Sequence, residues 1–156
     1  MLYYKIPGRG ELEIENLVLD YNGTIAVDGK LIEGVEELLA QLKEYVNIYV
    51  LTADTYGTVE EELKDLDVKV LTFPNHKAGA SKQQIVMELG GHKTICIGNG
   101  YIDLPMFKES ILSIAVIEEE GAYGKLLYYA DIVTHSILDA LKIVLNSDRV
   151  RATLRN

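Results

Sequence analysis

Asp20, Thr52, Lys82 and Asp103 are the residues of this chain whose types and surroundings could do chemistry together. Asp20 closes the apolar run "ENLVLD" and leads straight into "YNGT". A carboxylate at a strand tip, beside a glycine turn with free backbone N–H groups, can act as a nucleophile or as a ligand for a hard metal ion. Thr52 ends a second apolar run, in "LTAD", and can donate hydrogen bonds to a phosphoryl oxygen. Lys82, in "SKQQIVMEL", sits at a predicted helix start and can neutralise developing negative charge, with Lys77 as the rival lysine. Asp103, in "GNGYID", can share Mg²⁺ with Asp20. An acidic pair, a metal and a lysine are the minimum equipment for phosphoryl transfer.

Each of these residues has a plainer reading. Asp20 can simply stop a strand, and Thr52 likewise. Lys82 can be a solvated lysine, and Asp103 can cap the helix that begins at "LPMF". Asn99 suits a glycine-flanked turn on conformational grounds alone. What favours chemistry is the arrangement that must position them. Short β-type runs ("ENLVLD", "VNIYVLT", "VKVLTF", "KTICIG", "SIAVI" and a weaker "ADIVT") alternate with helical patterns. In "EGVEELLAQLKEY", Val35, Leu38, Leu39 and Leu42 fall on one helical face. The runs are almost continuously apolar, as strands are when helices cover both faces of a parallel sheet. The pattern predicts a doubly wound α/β sheet, preceded by a short hairpin turning at "PGRG". In such sheets ligands bind at the carboxyl ends of the strands, where three of these runs end in polar residues.

Composition narrows the function classes. The 156 residues, 48% of them hydrophobic, fit one domain over residues 1–156. A net charge of −9 argues against a nucleic-acid surface and means that a phosphate site needs local compensation from a metal or a lysine. No apolar run reaches the roughly 18 residues of a membrane span, and the start of the chain lacks the order of a signal peptide. The single Cys96 lies in an apolar run and reads as a buried thiol of a cytoplasmic protein. His76, His92 and His135 lack metal-ligand spacing and read as surface residues. The tyrosines read mostly as core or half-buried packing, with Tyr21 and Tyr101 beside the site, and "DRVRATLRN" reads as the solvated basic end of a terminal helix.

"DYNGT", "LTAD", a helix-opening "SK" and "GNGYIDLPMF" occur in the order of the motifs of the haloacid dehalogenase superfamily. The chain resembles, in particular, the soluble relatives of the phosphorylation domain of P-type ATPases, over about residues 15–145. The resemblance implies a phosphatase with a phosphoaspartyl intermediate on Asp20. It implies a phosphate contact from Thr52, charge neutralisation by Lys82, and Mg²⁺ bound by Asp20, the Asn22 carbonyl, Asn99 and Asp103. Asn22 stands where family phosphatases carry an acid–base aspartate, and Asn99 stands at an acidic position of the fourth motif. A carboxamide does not shuttle protons, so hydrolysis is expected to be slow.

Gaps of 31 residues from Asp20 to Thr52 and 29 from Thr52 to Lys82 leave no room for a cap domain. The expected site is therefore open, with a phosphorylated substrate, no nucleic-acid or membrane partner, and a second subunit as its lid in a homo-oligomer. The amides at 22 and 99 support an alternative, a fold-retaining protein that binds a phosphorylated ligand or partner without turnover. A receiver-like signalling domain is disfavoured, because no acidic pair precedes the phosphorylated aspartate, and a transport ATPase is excluded for want of a membrane segment. The geometric expectation is that Asp20, Thr52, Lys82 and Asp103 converge at one sheet edge, with the two carboxylates close enough to share one ion.

Overall fold

The computed structural model describes residues 1–53 and 57–156. Asp54 of "LTAD" and Tyr56, which opens one helical pattern, lie outside them. The chain begins with an antiparallel hairpin of β1 (Leu2–Ile6) and β2 (Gly10–Ile14), paired from Leu2 opposite Ile14 to Ile6 opposite Gly10. Then follow β3 (Asn16–Asp20), the two-residue strands β4 (Ala26–Val27) and β5 (Lys30–Leu31), and α1 (Val35–Leu42). β6 (Asn47–Thr52), α2 (Thr58–Glu62), β7 (Lys69–Thr72) and α3 (Ala78–Leu89) come next. The last part holds β8 (Thr94–Gly98), α4 (Leu104–Glu109), β9 (Leu112–Val116), α5 (Gly124–Tyr129), β10 (Ile132–Thr134), α6 (Ile137–Leu145) and α7 (Ser147–Leu154).

Six strands form one parallel sheet in the order β10-β9-β8-β3-β6-β7. Every strand read from the sequence is present. β3, β8 and β9 are buried at every position, which accounts for their unbroken apolar runs. Alternate residues serve opposite faces. Leu17, Leu19, Ile95 and Ile97 join the core under α1, α6 and the hairpin, while Val18 and Cys96 join the core under α3, α4 and α5. The Cys96 thiol is fully buried, and burial pushes its pKa up, so it stays a neutral packing group. No helix among the described residues is long and apolar enough to cross a membrane.

α3 begins at Ala78, earlier than "SKQQ" predicts, so Lys82 lies in its second turn rather than at its start. The segment "AGAS" carries no apolar periodicity, and its glycine masked the helix. Gly79 serves tertiary packing there: a Cβ on it would lie 3.4 Å from Pro105 and 3.6 Å from the Ile102 carbonyl, so α3 and α4 pack closely at this point. The tyrosine reading also needs correction. Tyr3, Tyr45, Tyr101, Tyr128 and Tyr129 are exposed, a placement that periodicity around a single aromatic does not reveal. His76, His92 and His135 are exposed, as expected, and so are Arg149, Arg151 and Arg155.

The hairpin is tied to the C-terminal helices by a buried hydrogen bond from the Tyr4 hydroxyl to the Val144 carbonyl at 2.5 Å. Tyr4→Phe removes that donor and leaves the carbonyl unpaired in the core. The expected loss is about 1–2 kcal/mol, seen as a lower urea midpoint with an unchanged slope in equilibrium unfolding.

Candidate active site

Asp20 ends β3, Thr52 ends the neighbouring β6, and the turn after β8 carries Asn99 and Asp103. All therefore stand at the carboxyl edge of the parallel sheet. The edge is also a topological switch point, since the chain builds β6 and β7 on one side of β3 and then crosses to β8 on the other. α3 makes that crossing and brings Lys82 under the strand ends.

The centre of the site is the Lys82 ammonium. It donates to Asp20 Oδ1 and to Asp103 Oδ1, each at 2.6 Å. The ring of Phe73 lies 5.7 Å from Nζ on another side. The sequence reading has Asp20 and Asp103 share Mg²⁺; in the structure the group that both carboxylates contact is the Lys82 ammonium. Of the two candidate lysines, Lys82 meets both carboxylates, whereas Lys77 is exposed. Burial alone would lower the Lys82 pKa; the charges of Asp103 and Asp20 together outweigh it and raise the pKa, so the side chain is charged. Asp20 is pushed up to about 7, first by burial and then by Asp103, against the opposing pull of Lys82.

Asp103 is fully buried, and both its oxygens are engaged. Oδ2 accepts the backbone N–H groups of Asn99 and Gly100, each at 3.0 Å, so the side chain fastens the preceding turn and does not cap α4. Gly98 makes this possible: a Cβ there would lie 2.5 Å from Asp103 Oδ2. Thr24, to which sequence reasoning assigned no role, is the link between the two motifs. Its hydroxyl lies 3.2 Å from Asp20 Oδ2 and 3.3 Å from Asn99 Oδ1, and its single proton serves one of them at a time. The signal was its place four residues after Asp20, across a tight turn. That turn needs Gly23, whose φ is +81° and whose missing Cβ would meet Asn99 Nδ2 at 2.4 Å. Asn99 Nδ2 donates to the Gly121 carbonyl at 3.0 Å. Asn22 is exposed on the outer side of the turn. Thr52 is buried at its strand end.

Three of the groups that the family resemblance assigns to a metal, the Asp20 carboxylate, Asn99 and the Asn22 main-chain carbonyl, supply oxygen donors, and Asp20 Oδ2 and Asn99 Oδ1 lie 3.2 and 3.3 Å from the one Thr24 hydroxyl. Such a set fits a hard divalent cation such as Mg²⁺ in type, with one carboxylate and two neutral groups. Asp103 would have to give up existing bonds to join it. No group of three His, Cys, Asp or Glu side chains suited to a metal occurs among the described residues. Bound there, the cation would offset negative charge on a transferring phosphoryl group.

This six-stranded parallel sheet shares its fold with solved haloacid dehalogenase (HAD)-family hydrolases. Two solved structures share it at low sequence identity. The cobalt-bound deoxy-D-mannose-octulosonate 8-phosphate phosphatase of Haemophilus influenzae has a TM-score of 0.72 and 15% identity, over 86% of this chain and 89% of that one. The 3-deoxy-D-manno-octulosonate 8-phosphate phosphatase of Moraxella catarrhalis, in complex with magnesium, phosphate and KDO, has a TM-score of 0.67 and 17% identity, over 91% and 94%. By sequence, the chain belongs to one family with an uncharacterized protein of Methanocaldococcus jannaschii, 40% identical over 74 residues, which are 47% of this chain and 80% of that protein. It is also 28% identical over 133 residues to a soluble P-type ATPase-like phosphatase of the same organism, covering 80% of this chain but only 48% of the phosphatase. No protein-family model matches the chain.

The raised Asp20 pKa has a consequence for stability. Between the unfolded value of 3.8 and about 7, the folded state holds a proton that the unfolded state has released. Stability therefore falls as pH rises through that window. Asp20→Asn removes the penalty and keeps an oxygen for Lys82. In chelated, metal-free buffer the variant is expected to gain on wild type as pH rises from 4.5 to 8. The gain should be on the order of 1 kcal/mol, or about 2–4 °C in Tm. Equal melting-temperature differences at both pH values would contradict the assignment.

Proposed function

We propose that the protein is a metal-assisted phosphatase that works through a phosphoaspartyl intermediate on Asp20. The observation that carries this reading is the unequal exposure of the ion triad. The side chains of Lys82 and Asp103 are 1% and 0% exposed, whereas that of Asp20 is 12% exposed. Asp20 alone among the three can meet a substrate, with Oδ1 held by Lys82 and Oδ2 beside the Thr24 hydroxyl. A carboxylate oxygen of Asp20 attacks phosphorus, and the leaving-group oxygen departs with the bonding pair. Water then attacks phosphorus, releasing phosphate and restoring the carboxylate. Lys82 holds Asp20 in place and offsets charge beside it, and Thr52 at the adjacent strand tip contacts a phosphoryl oxygen. Asp103 acts as a positioning residue, through Lys82 and through the 99–100 turn.

Mg²⁺ is the cation proposed for the oxygen set of Asp20, Asn22 and Asn99. With one carboxylate there instead of several, binding should be weak. Support comes from the fold shared with metal-bound phosphatases and from the similarity to the P-type ATPase-like phosphatase. The amides at 22 and 99 favour a second reading, a protein that binds a phosphorylated ligand without turning it over.

The two readings separate in one experiment. Asn22 cannot protonate a leaving group or activate water, so substrates with good leaving groups should be preferred, and the phosphoenzyme should accumulate. With saturating Mg²⁺, wild type is expected to label on Asp20 from acetyl phosphate and to hydrolyse an aryl phosphate far faster than an alkyl phosphate. Asn22→Asp should speed turnover within the roughly 10²–10⁴-fold range of acid–base catalysis. Asp20→Asn should abolish labelling. If wild type forms no phosphoenzyme and Asn22→Asp gains nothing on either ester, the hydrolase reading falls and the binding reading replaces it.

A further inference from the structure

Thr24 is fully buried, and no step of the proposed phosphoryl transfer uses it. The turn that carries it does not depend on its hydroxyl. The Tyr21 carbonyl accepts the N–H groups of Thr24, Ile25 and Ala26 at 3.2, 3.0 and 3.1 Å, and the Gly23 N–H donates to the Ala26 carbonyl at 2.8 Å. The main chain thus closes the turn by itself. It delivers the hydroxyl to a fixed place between Asp20 Oδ2, at 3.2 Å, and Asn99 Oδ1, at 3.3 Å. With one proton and two acceptors at nearly equal distance, chemistry decides the choice. A hydrogen bond to an ionised acceptor is roughly twice as strong as one between neutral groups. Asn99 is an amide whose nitrogen is committed to the Gly121 carbonyl at 3.0 Å, so only its neutral oxygen faces Thr24. Asp20 is a carboxylate whose other oxygen, Oδ1, is taken by Lys82 at 2.6 Å. Bonds at both oxygens fix the rotation of that carboxylate, whereas a bond at one oxygen leaves it free to turn.

We infer that Thr24 is a positioning residue, whose hydroxyl proton goes to Asp20 Oδ2 and holds the plane of the attacking carboxylate, and that the amide at 99 is what leaves the proton there. The kinetic part of this inference rests on the phosphoryl-transfer reading of Asp20. A carboxylate at 99 would compete for the same proton on equal terms. With Thr24 at Oδ2 and Lys82 at Oδ1, the carboxylate meets phosphorus already oriented. Being fully buried, Thr24 does not itself touch a substrate, so loss of its hydroxyl lowers the rate of attack and leaves binding alone.

Two measurements test this, and the first needs neither metal nor turnover. The buried Thr24 hydroxyl proton is followed by proton NMR in chelated buffer at pH 8, above the Asp20 pKa of about 7. Donation to a carboxylate shifts this resonance downfield. Asp20→Asn is expected to move it upfield, while Asn99→Ala leaves it nearly in place. A shift in Asn99→Ala as large as that in Asp20→Asn overturns the assignment of the proton. In the second measurement, labelling of Asp20 from acetyl phosphate is timed over a range of acetyl phosphate concentrations with saturating Mg²⁺. Thr24→Val should lower the maximal labelling rate about ten- to hundredfold, the worth of a hydrogen bond to a charged group, with the half-saturating concentration little changed. Thr24→Ser, which keeps the hydroxyl and gives up the methyl, should recover most of the rate. In an Asn99→Asp background, Thr24→Val should lower the rate less than it does in wild type. Full rate in Thr24→Val, or Thr24→Ser as slow as Thr24→Val, overturns the positioning role. An equal effect of Thr24→Val in both backgrounds overturns the part given to Asn99. The expected resonance shift with no phosphoenzyme in wild type upholds the Thr24–Asp20 bond and removes the hydrolase reading, so the two failures are distinct.

Discussion

One ammonium group between two carboxylates sets the terms for the rest of the molecule. Lys82 Nζ, at 2.6 Å from both Asp20 and Asp103, is the centre of a buried ionic cluster. Such clusters seldom stabilise a fold, because desolvation costs several kcal/mol per ion, but losing one partner is worse than never burying the group. Three chain segments must therefore stay in register to within a hydrogen bond: the end of β3, the second turn of α3 and the turn after β8. Several features follow from that need. The strands that carry the acids are buried throughout, Gly98 has no side chain to collide with Asp103, and Gly79 lets α4 approach α3.

Much of this was legible in the sequence because it depends on local patterns. Unbroken apolar runs ending in a polar residue mark buried parallel strands, and each of these runs is a strand in the structure. The meeting of Asp20, Thr52, Lys82 and Asp103 at one edge follows from those strands pointing the same way. What could not be read is which atoms bond to which. The reading that gave Asp20 and Asp103 a shared Mg²⁺ did not foresee that Lys82, in the second turn of α3, bonds to both carboxylates. Asp103 spends one oxygen on the backbone of its own turn, a contact that depends on the curl of residues 99–103. Thr24 shows the same limit: its role arises only when β8 lies beside β3 and brings Asn99 within reach.

The amides at 22 and 99 have different structural weights. Asn22 is exposed and outside the network. Asn99 is woven into it: the side-chain oxygen faces Thr24, the side-chain nitrogen holds the Gly121 carbonyl, and the main-chain carbonyl accepts from Tyr123. A carboxylate at 99 would lose the donor to Gly121 and add a charge beside Asp20. The amide thus couples the site to the loop before α5, and through Tyr123 to the exposed ring of Tyr101.

The path of the chain across the sheet bears on how such a cluster can be assembled at all. β7 lies at one edge, and β8 pairs with the far side of the central β3. The segment that spans this distance is α3 itself. Pairing of β8 with β3 brings Asp103 to the edge where Asp20 stands, and α3, which precedes β8, carries Lys82 to both. Along the chain the counter-charge therefore comes before the second acid, on the one helix that links the two halves of the sheet.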